Sequence, residues 1–168
     1  MSKAFTDEEA DEPAPLVRPR APLAPGVPNY VTARGLAALE RELAELGGER
    51  AAAERIANER ERGRALGALA RRRAELEERI ATAELVAPPG DGRGVVRFGA
   101  AVRVAAADGE RRYRIVGVDE ADAASGALAF TAPLARALLG KRAGETVRLR
   151  APRGEEELEV LAVEYPDG

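Results

Sequence analysis

The sequence predicts an α+β protein, in which an N-terminal antiparallel coiled-coil hairpin of two helices precedes a small antiparallel β domain with one short helix. Three observations predict it. Leucines and alanines recur at heptad spacing on both sides of a polar stretch, a Pro-Gly cluster breaks the chain at Pro88-Pro89-Gly90, and short strand-like runs separated by turns follow.

The first arm opens with Thr32 in N-cap position and places Leu36, Leu39, Leu43 and Leu46 at intervals of three and four. The second places Leu66, Leu69, Leu76, Ile80, Ala83 and Ala87 in one a/d frame, with Arg73 as its polar intruder. Folding the arms around Gly63 sets Leu46 near Ile80, Leu43 near Ala83 and Leu39 near Ala87. Arms of about 30 residues reach roughly 45 Å, too long for so small a domain to cover, so the hairpin projects. Gly47-Gly48 interrupts the first arm at a cost of about 1 kcal/mol per glycine relative to alanine. A continuous or kinked arm is still preferred, because a break would leave the partner helix with an unpaired seam.

Beyond the breaker, strand-like runs cover 95–98, 101–104, 112–118, 127–130, 147–149 and 158–163. Pro133 to Leu139 reads as a helix, with proline at its first position and Gly140 just past its end. Residues 1–30, with acids at 7, 8, 9, 11 and 12 and then a run of prolines, read as a disordered arm. The domain plan is therefore arm 1–30, hairpin 31–87 with its tip at about 58–66, and β domain 93–166.

The chain of 168 residues has no Cys and no His, which excludes disulfides, Cys/His zinc sites, thiol nucleophiles and imidazole acid-base chemistry. The sequence reading is accordingly of a protein that is not an enzyme. A net charge of -3 does not announce a nucleic-acid binder. No apolar run approaches the ~20 residues of a membrane span, and the polar N-terminal stretch lacks a signal peptide's pattern, so a cytoplasmic monomer without membrane contact is expected.

Tyr113 to Glu120, the run Pro133-Leu134-Ala135-Arg136-Ala137-Leu138-Leu139-Gly140-Lys141, the closing Val163-Glu164-Tyr165 and the opening Tyr30-Val31-Thr32-Ala33-Arg34-Gly35-Leu36 together resemble the bacterial Gre transcript cleavage factors, nearer GreB than GreA. The resemblance implies an FKBP-like β domain docked on bacterial RNA polymerase at the secondary channel, with the coiled coil entering that channel. It implies docking residues at Asp119, Glu120, Thr131, Ala132, Pro133, Leu134 and Arg136. It also implies an acidic pair at the tip that helps hold the polymerase's Mg²⁺, with no cofactor belonging to the factor itself.

At the tip this chain departs from the family's pattern. Glu59 and Glu61 are its only acids, among Arg60, Arg62 and Arg64. A hard cation needs carboxylates free to approach it, so a solvated, self-paired charged turn is the expectation. The arms also read about one heptad short, roughly 10 Å of lost reach. The function expected is a Gre-family homologue that regulates elongation, with weak or no stimulation of transcript cleavage. The alternatives are an active cleavage factor using Glu59 and Glu61, a prolyl isomerase or chaperone on the FKBP-like fold, and a factor similar to the regulators of nucleoside diphosphate kinase. Arg71-Arg72-Arg73 with the tip arginines could meet nucleic acid indirectly through phosphates. The competing reading is a helix face paired with Glu75, Glu77 and Glu78.

Overall fold

A computed structural model of the chain describes residues 20–90, 94–151 and 154–166. The expected arm lies outside the described residues up to position 19. Beyond it, Arg20 and Asn29 tie the chain to the rest of the molecule: Arg20 pairs with Asp119 at 2.9 Å, and Asn29 is buried, its Nδ2 donating to the Arg79 carbonyl at 2.8 Å and to Thr82 Oγ1 at 3.1 Å. The disordered arm predicted for 1–30 therefore does not extend to this segment.

Strand β1 (Tyr30–Val31) leads into α1 (Ala33–Glu54), which returns as α2 (Glu59–Ala81) and ends in β2 (Glu84–Leu85). β1 and β2 pair in parallel and close the base of the hairpin. Thr32 caps α1, its Oγ1 accepting the Gly35 N–H at 3.0 Å. The helix runs unbroken through Gly47-Gly48. The helices are about 33 Å long at the α-helical rise, shorter than the sequence reading.

The turn lies at Arg55–Asn58, several residues before Gly63, which sits inside α2. Asn58 decides this. Its side chain accepts from the backbone N–H groups of Arg60 and Glu61 at 3.0 and 3.1 Å and starts the second helix there. The seam shifts accordingly, and Leu43 and Leu46 line a groove with Leu66 and Leu69, not the expected Ala83 and Ile80. Leu39, Leu46, Leu76 and Val31 form its buried core.

The domain is a five-stranded sheet in the order β5-β4-β3-β7-β6, built from β3 (Ala101–Ala106), β4 (Gly109–Val116), β5 (Ala127–Ala129), β6 (Thr146–Ala151) and β7 (Gly154–Glu164). It is mixed, because β5 joins β4 in parallel while the other pairs are antiparallel. The run predicted at 95–98 contributes one isolated bridge, Val95 to Arg142. The predicted helix is present as α3 (Pro133–Leu138), with Ala135 and Leu138 buried against Val102, Val104, Ile115, Leu158 and Val160. Among the described residues no helix is long and apolar enough to cross a membrane.

Candidate functional site: hairpin tip and docking corner

At the tip, Glu59 and Glu61 occupy the first turn of α2 and are exposed. There they complement the positive end of the helix. Among the described residues neither enters an ion pair, contrary to the self-paired turn expected. Arg62 donates instead to the Ile56 carbonyl at 3.0 Å, folding its guanidinium back over the turn. Arg60 and Arg64 remain exposed beside the acids.

Two residues apart on one helix, Glu59 and Glu61 point to different sides. They do not fit the role of a pair that grips one Mg²⁺; a cation approaching the tip meets one carboxylate at a time, among guanidinium groups. Among the described residues no cluster of three or more His, Cys, Asp or Glu could hold a metal.

Farther along α2, Arg72 crosses to α1 and pairs with Glu42 at 2.9 Å and Glu49 at 3.1 Å, while Arg73 pairs with Glu77 at 2.7 Å. Of the three arginines, Arg73 meets one of the expected acids and Arg72 finds its partners on the other helix, while Arg71 enters no ion pair among the described residues.

The docking residues divide into two groups. Pro133 and Arg136 are exposed on α3, and Thr131 and Ala132 are half-buried at its start; Leu134 packs on the domain core. Asp119 and Glu120 face inward. Glu120 accepts the Thr32 N–H at 3.0 Å, the Thr32 hydroxyl at 2.6 Å and the Gly117 N–H at 3.4 Å, joining the domain to the cap of α1. Asp119, with a side chain 6% exposed, pairs with Arg20 at 2.9 Å and lies 3.7 Å from Arg79. These two acids hold the hairpin to the domain, a correction to their expected place on a docking surface.

Arg20 also binds Glu42, and Arg79 donates to the Ala21 carbonyl. Burial alone would raise the Glu42 carboxyl, but hydrogen bonds from Arg20 and Arg72 prevail and hold it below the usual carboxylate range. Sequence reasoning missed this network because its members are 22, 30 and 99 positions apart in pairs, and no local spacing announces it. The rings of Tyr30, Phe98 and Phe130 complete the junction with mutual centroid distances of 5.3 to 5.8 Å.

The family model "Transcription elongation factor, GreA/GreB, C-term" matches residues 91–165. Among curated proteins, transcription elongation factor GreA of Acidiphilium cryptum is 45% identical over 94 residues, covering 55% of this chain and 60% of the relative. That of Xylella fastidiosa (strain M12) is 46% identical over 95 residues, with 54% and 60% covered. The chain thus spans about 60% of the length of the curated relatives it matches. Two solved structures are similar. The elongation factor GreA/GreB of Nitrosomonas europaea is 21% identical over 83% of this chain and 99% of that one, with a TM-score of 0.42. GreA factor homolog 1 of Thermus thermophilus is 20% identical over 82% and 99%, with a TM-score of 0.39.

These matches bear on two expectations. The curated relatives are named GreA while the family model covers GreA and GreB together, so the leaning toward GreB is not confirmed. The reading of a chain that is not an enzyme is corrected as well, because the relatives it matches are named transcription elongation factor GreA.

Proposed function

We propose that this chain, which matches the GreA/GreB C-terminal family model over residues 91–165, acts as a Gre-type elongation factor that docks on bacterial RNA polymerase through its β domain, extends its hairpin into the secondary channel, and stimulates cleavage of backtracked RNA only weakly. The observation that carries the weak output is the tip. Cleavage assistance needs oxygen ligands brought together on a Mg²⁺ held jointly with the polymerase, and Glu59 and Glu61 diverge around α2 among Arg60, Arg62 and Arg64. The short helices act in the same direction. Ligand distances must be right to within about 0.2 Å, and a hairpin about 33 Å long leaves little slack.

In this reading the exposed docking face consists of Pro133 and Arg136 with the flanking Thr131 and Ala132. Asp119 and Glu120 contribute only by setting the angle of the hairpin. Nucleic acid is met indirectly, through the polymerase, and the factor acts as a cytoplasmic monomer.

The deciding experiment incubates stalled, backtracked elongation complexes with the protein, alone and in competition with an authentic GreA. Expected are retention on core polymerase at micromolar concentration, displacement of GreA, and release of short 3′ RNA fragments slightly above the intrinsic rate. Cleavage at the GreA rate would overturn the reading of the tip, and failure to bind core polymerase would overturn the docking. Glu59→Ala and Glu61→Ala should each leave polymerase binding unchanged.

A further inference from the structure

On the side of the hairpin base facing the sheet edge, α1 and the β4–β5 edge enclose a groove of about 460 Å³ whose lining includes Arg34, Arg41, Arg114, Glu120, Asp122 and Ser125. We propose that this groove binds a small phosphate-bearing anion, a nucleoside polyphosphate, at a site distinct from the tip and from the α3 docking face.

Arg34, Ala38 and Arg41 stand at positions i, i+4 and i+7 of α1 and share one face. Ala38 between the two arginines leaves the floor of the groove open. Arg114 comes from the opposite wall, where β4 pairs with β5 at Arg114↔Ala127. Gly126 makes that wall possible: its φ of +74° is left-handed, and a Cβ there would sit 2.5 Å from the Arg112 carbonyl oxygen.

Among the described residues none of the three arginines enters an ion pair, whereas nearby Arg20, Arg72, Arg79 and Arg112 all do. Other arginines, such as Arg60, Arg64 and Arg136, also enter no ion pair among the described residues, but Arg34, Arg41 and Arg114 come together from two walls of one concavity. Planar guanidinium forks are suited to bidentate contact with phosphate oxygens, and the volume falls within the range of small-ligand pockets.

The acids in the lining keep their charge, so three guanidinium groups face two carboxylates, but among the described residues neither acid enters an ion pair with these arginines, each being held by neutral donors. Glu120 takes the donors of Thr32, and Asp122 accepts the Ala124 N–H at 3.1 Å. Hydrogen bonding from Ser125 and then from that backbone amide holds the Asp122 carboxyl below its ordinary range, so it stays ionised. Two fixed carboxylates beside three guanidinium groups oppose a continuous polyanionic strand. They suit a ligand with one charged end and hydroxyl or amino donors at the other, which favours a nucleotide over a nucleic-acid backbone.

The test is calorimetric titration of the full chain at low salt with pyrophosphate and, separately, with ATP free of divalent cations. Expected are one site per chain, competition between the two ligands, and a loss of at least about tenfold in affinity in Arg34→Ala/Arg41→Ala and in Arg41→Ala/Arg114→Ala. Both positions of the first pair are exposed on a helix, so that variant keeps the test valid if Arg114→Ala misfolds. Arg148→Ala, on the far edge of the sheet and paired with Glu157, should bind unchanged. No binding below about 10 mM, or equal affinity in the double variants, would overturn the proposal. So would binding of a single-stranded RNA oligonucleotide without binding of pyrophosphate or ATP.

Discussion

Glu120 satisfies three donors with two oxygens, and Gly35 lies close enough that a Cβ at position 35 would stand 2.1 Å from the Glu120 carboxylate. A carboxylate withdrawn from this position leaves the Thr32 amide without a partner at a half-buried junction. Glu120→Ala is therefore expected to cost about 2 kcal/mol in urea unfolding. Gly35→Ala displaces the same carboxylate and should cost a similar amount. The double variant should cost much less than the sum, since the second change finds the interaction already lost; strict additivity would show that the two residues do not act through each other. Glu42 offers a pH test. Its folded pKa is depressed, so its contribution to stability is present above the unfolded pKa and is lost as pH falls through the folded value. Glu42→Gln should be less stable than the parent at neutral pH and should converge with it in acid, measured as urea midpoints across that range. None of this was legible in the sequence. Asp119 and Glu120 stood out there for their match to a family pattern, while the donors that claim them, from Arg20 and Thr32, are distant in the chain.

At the scale of the elements, the hairpin was legible because heptad spacing of leucine survives any ambiguity about the turn. The position of the turn was misjudged because Gly63 was weighted over Asn58. The signal that identifies it is local: asparagine followed three residues later by Glu61 is a helix start of the capping-box type. A substitution distinguishes the two readings. In α2, Gly63 is helical and exposed and a Cβ there meets nothing within 4 Å, so Gly63→Ala should stabilise the protein by about 1 kcal/mol; a glycine at a tight turn would respond with a loss. Gly47→Ala and Gly48→Ala should each give a gain of about the same size, read as a higher urea midpoint, because α1 passes through both with open space at each. In the β domain, five of the six runs overlap β3 to β7 while 95–98 forms no strand, and the parallel pairing of β5 could not be read, since Ala127–Ala129 has no pattern that distinguishes parallel from antiparallel neighbours.

In the whole molecule, hairpin and domain are joined by a junction that is charged at one side and aromatic at the other. Asp119 sits between Arg20 and Arg79, and Arg79 is 8% exposed, so the guanidinium depends on that carboxylate for most of its compensation. Removing one partner of a buried pair leaves the other charge uncompensated and costs about 3 kcal/mol or more. For Asp119→Ala the cost should fall unevenly. Arg79 belongs to α2 and to the packing of Asn29 and Ala21 at the hairpin base, while the domain core of Val102, Ile115, Leu138 and Leu158 lies elsewhere. Hydrogen exchange followed by mass spectrometry should then show faster exchange in the C-terminal half of α2 and the N-terminal half of α1, with β3 and β7 unchanged. Uniform acceleration across hairpin and sheet would mean that the two fold as one cooperative unit. In that case the contact of Asp119 with Arg20 and Arg79 would support the sheet as well as the hairpin, together with the Tyr30, Phe98 and Phe130 rings and the Thr32–Glu120 bonds.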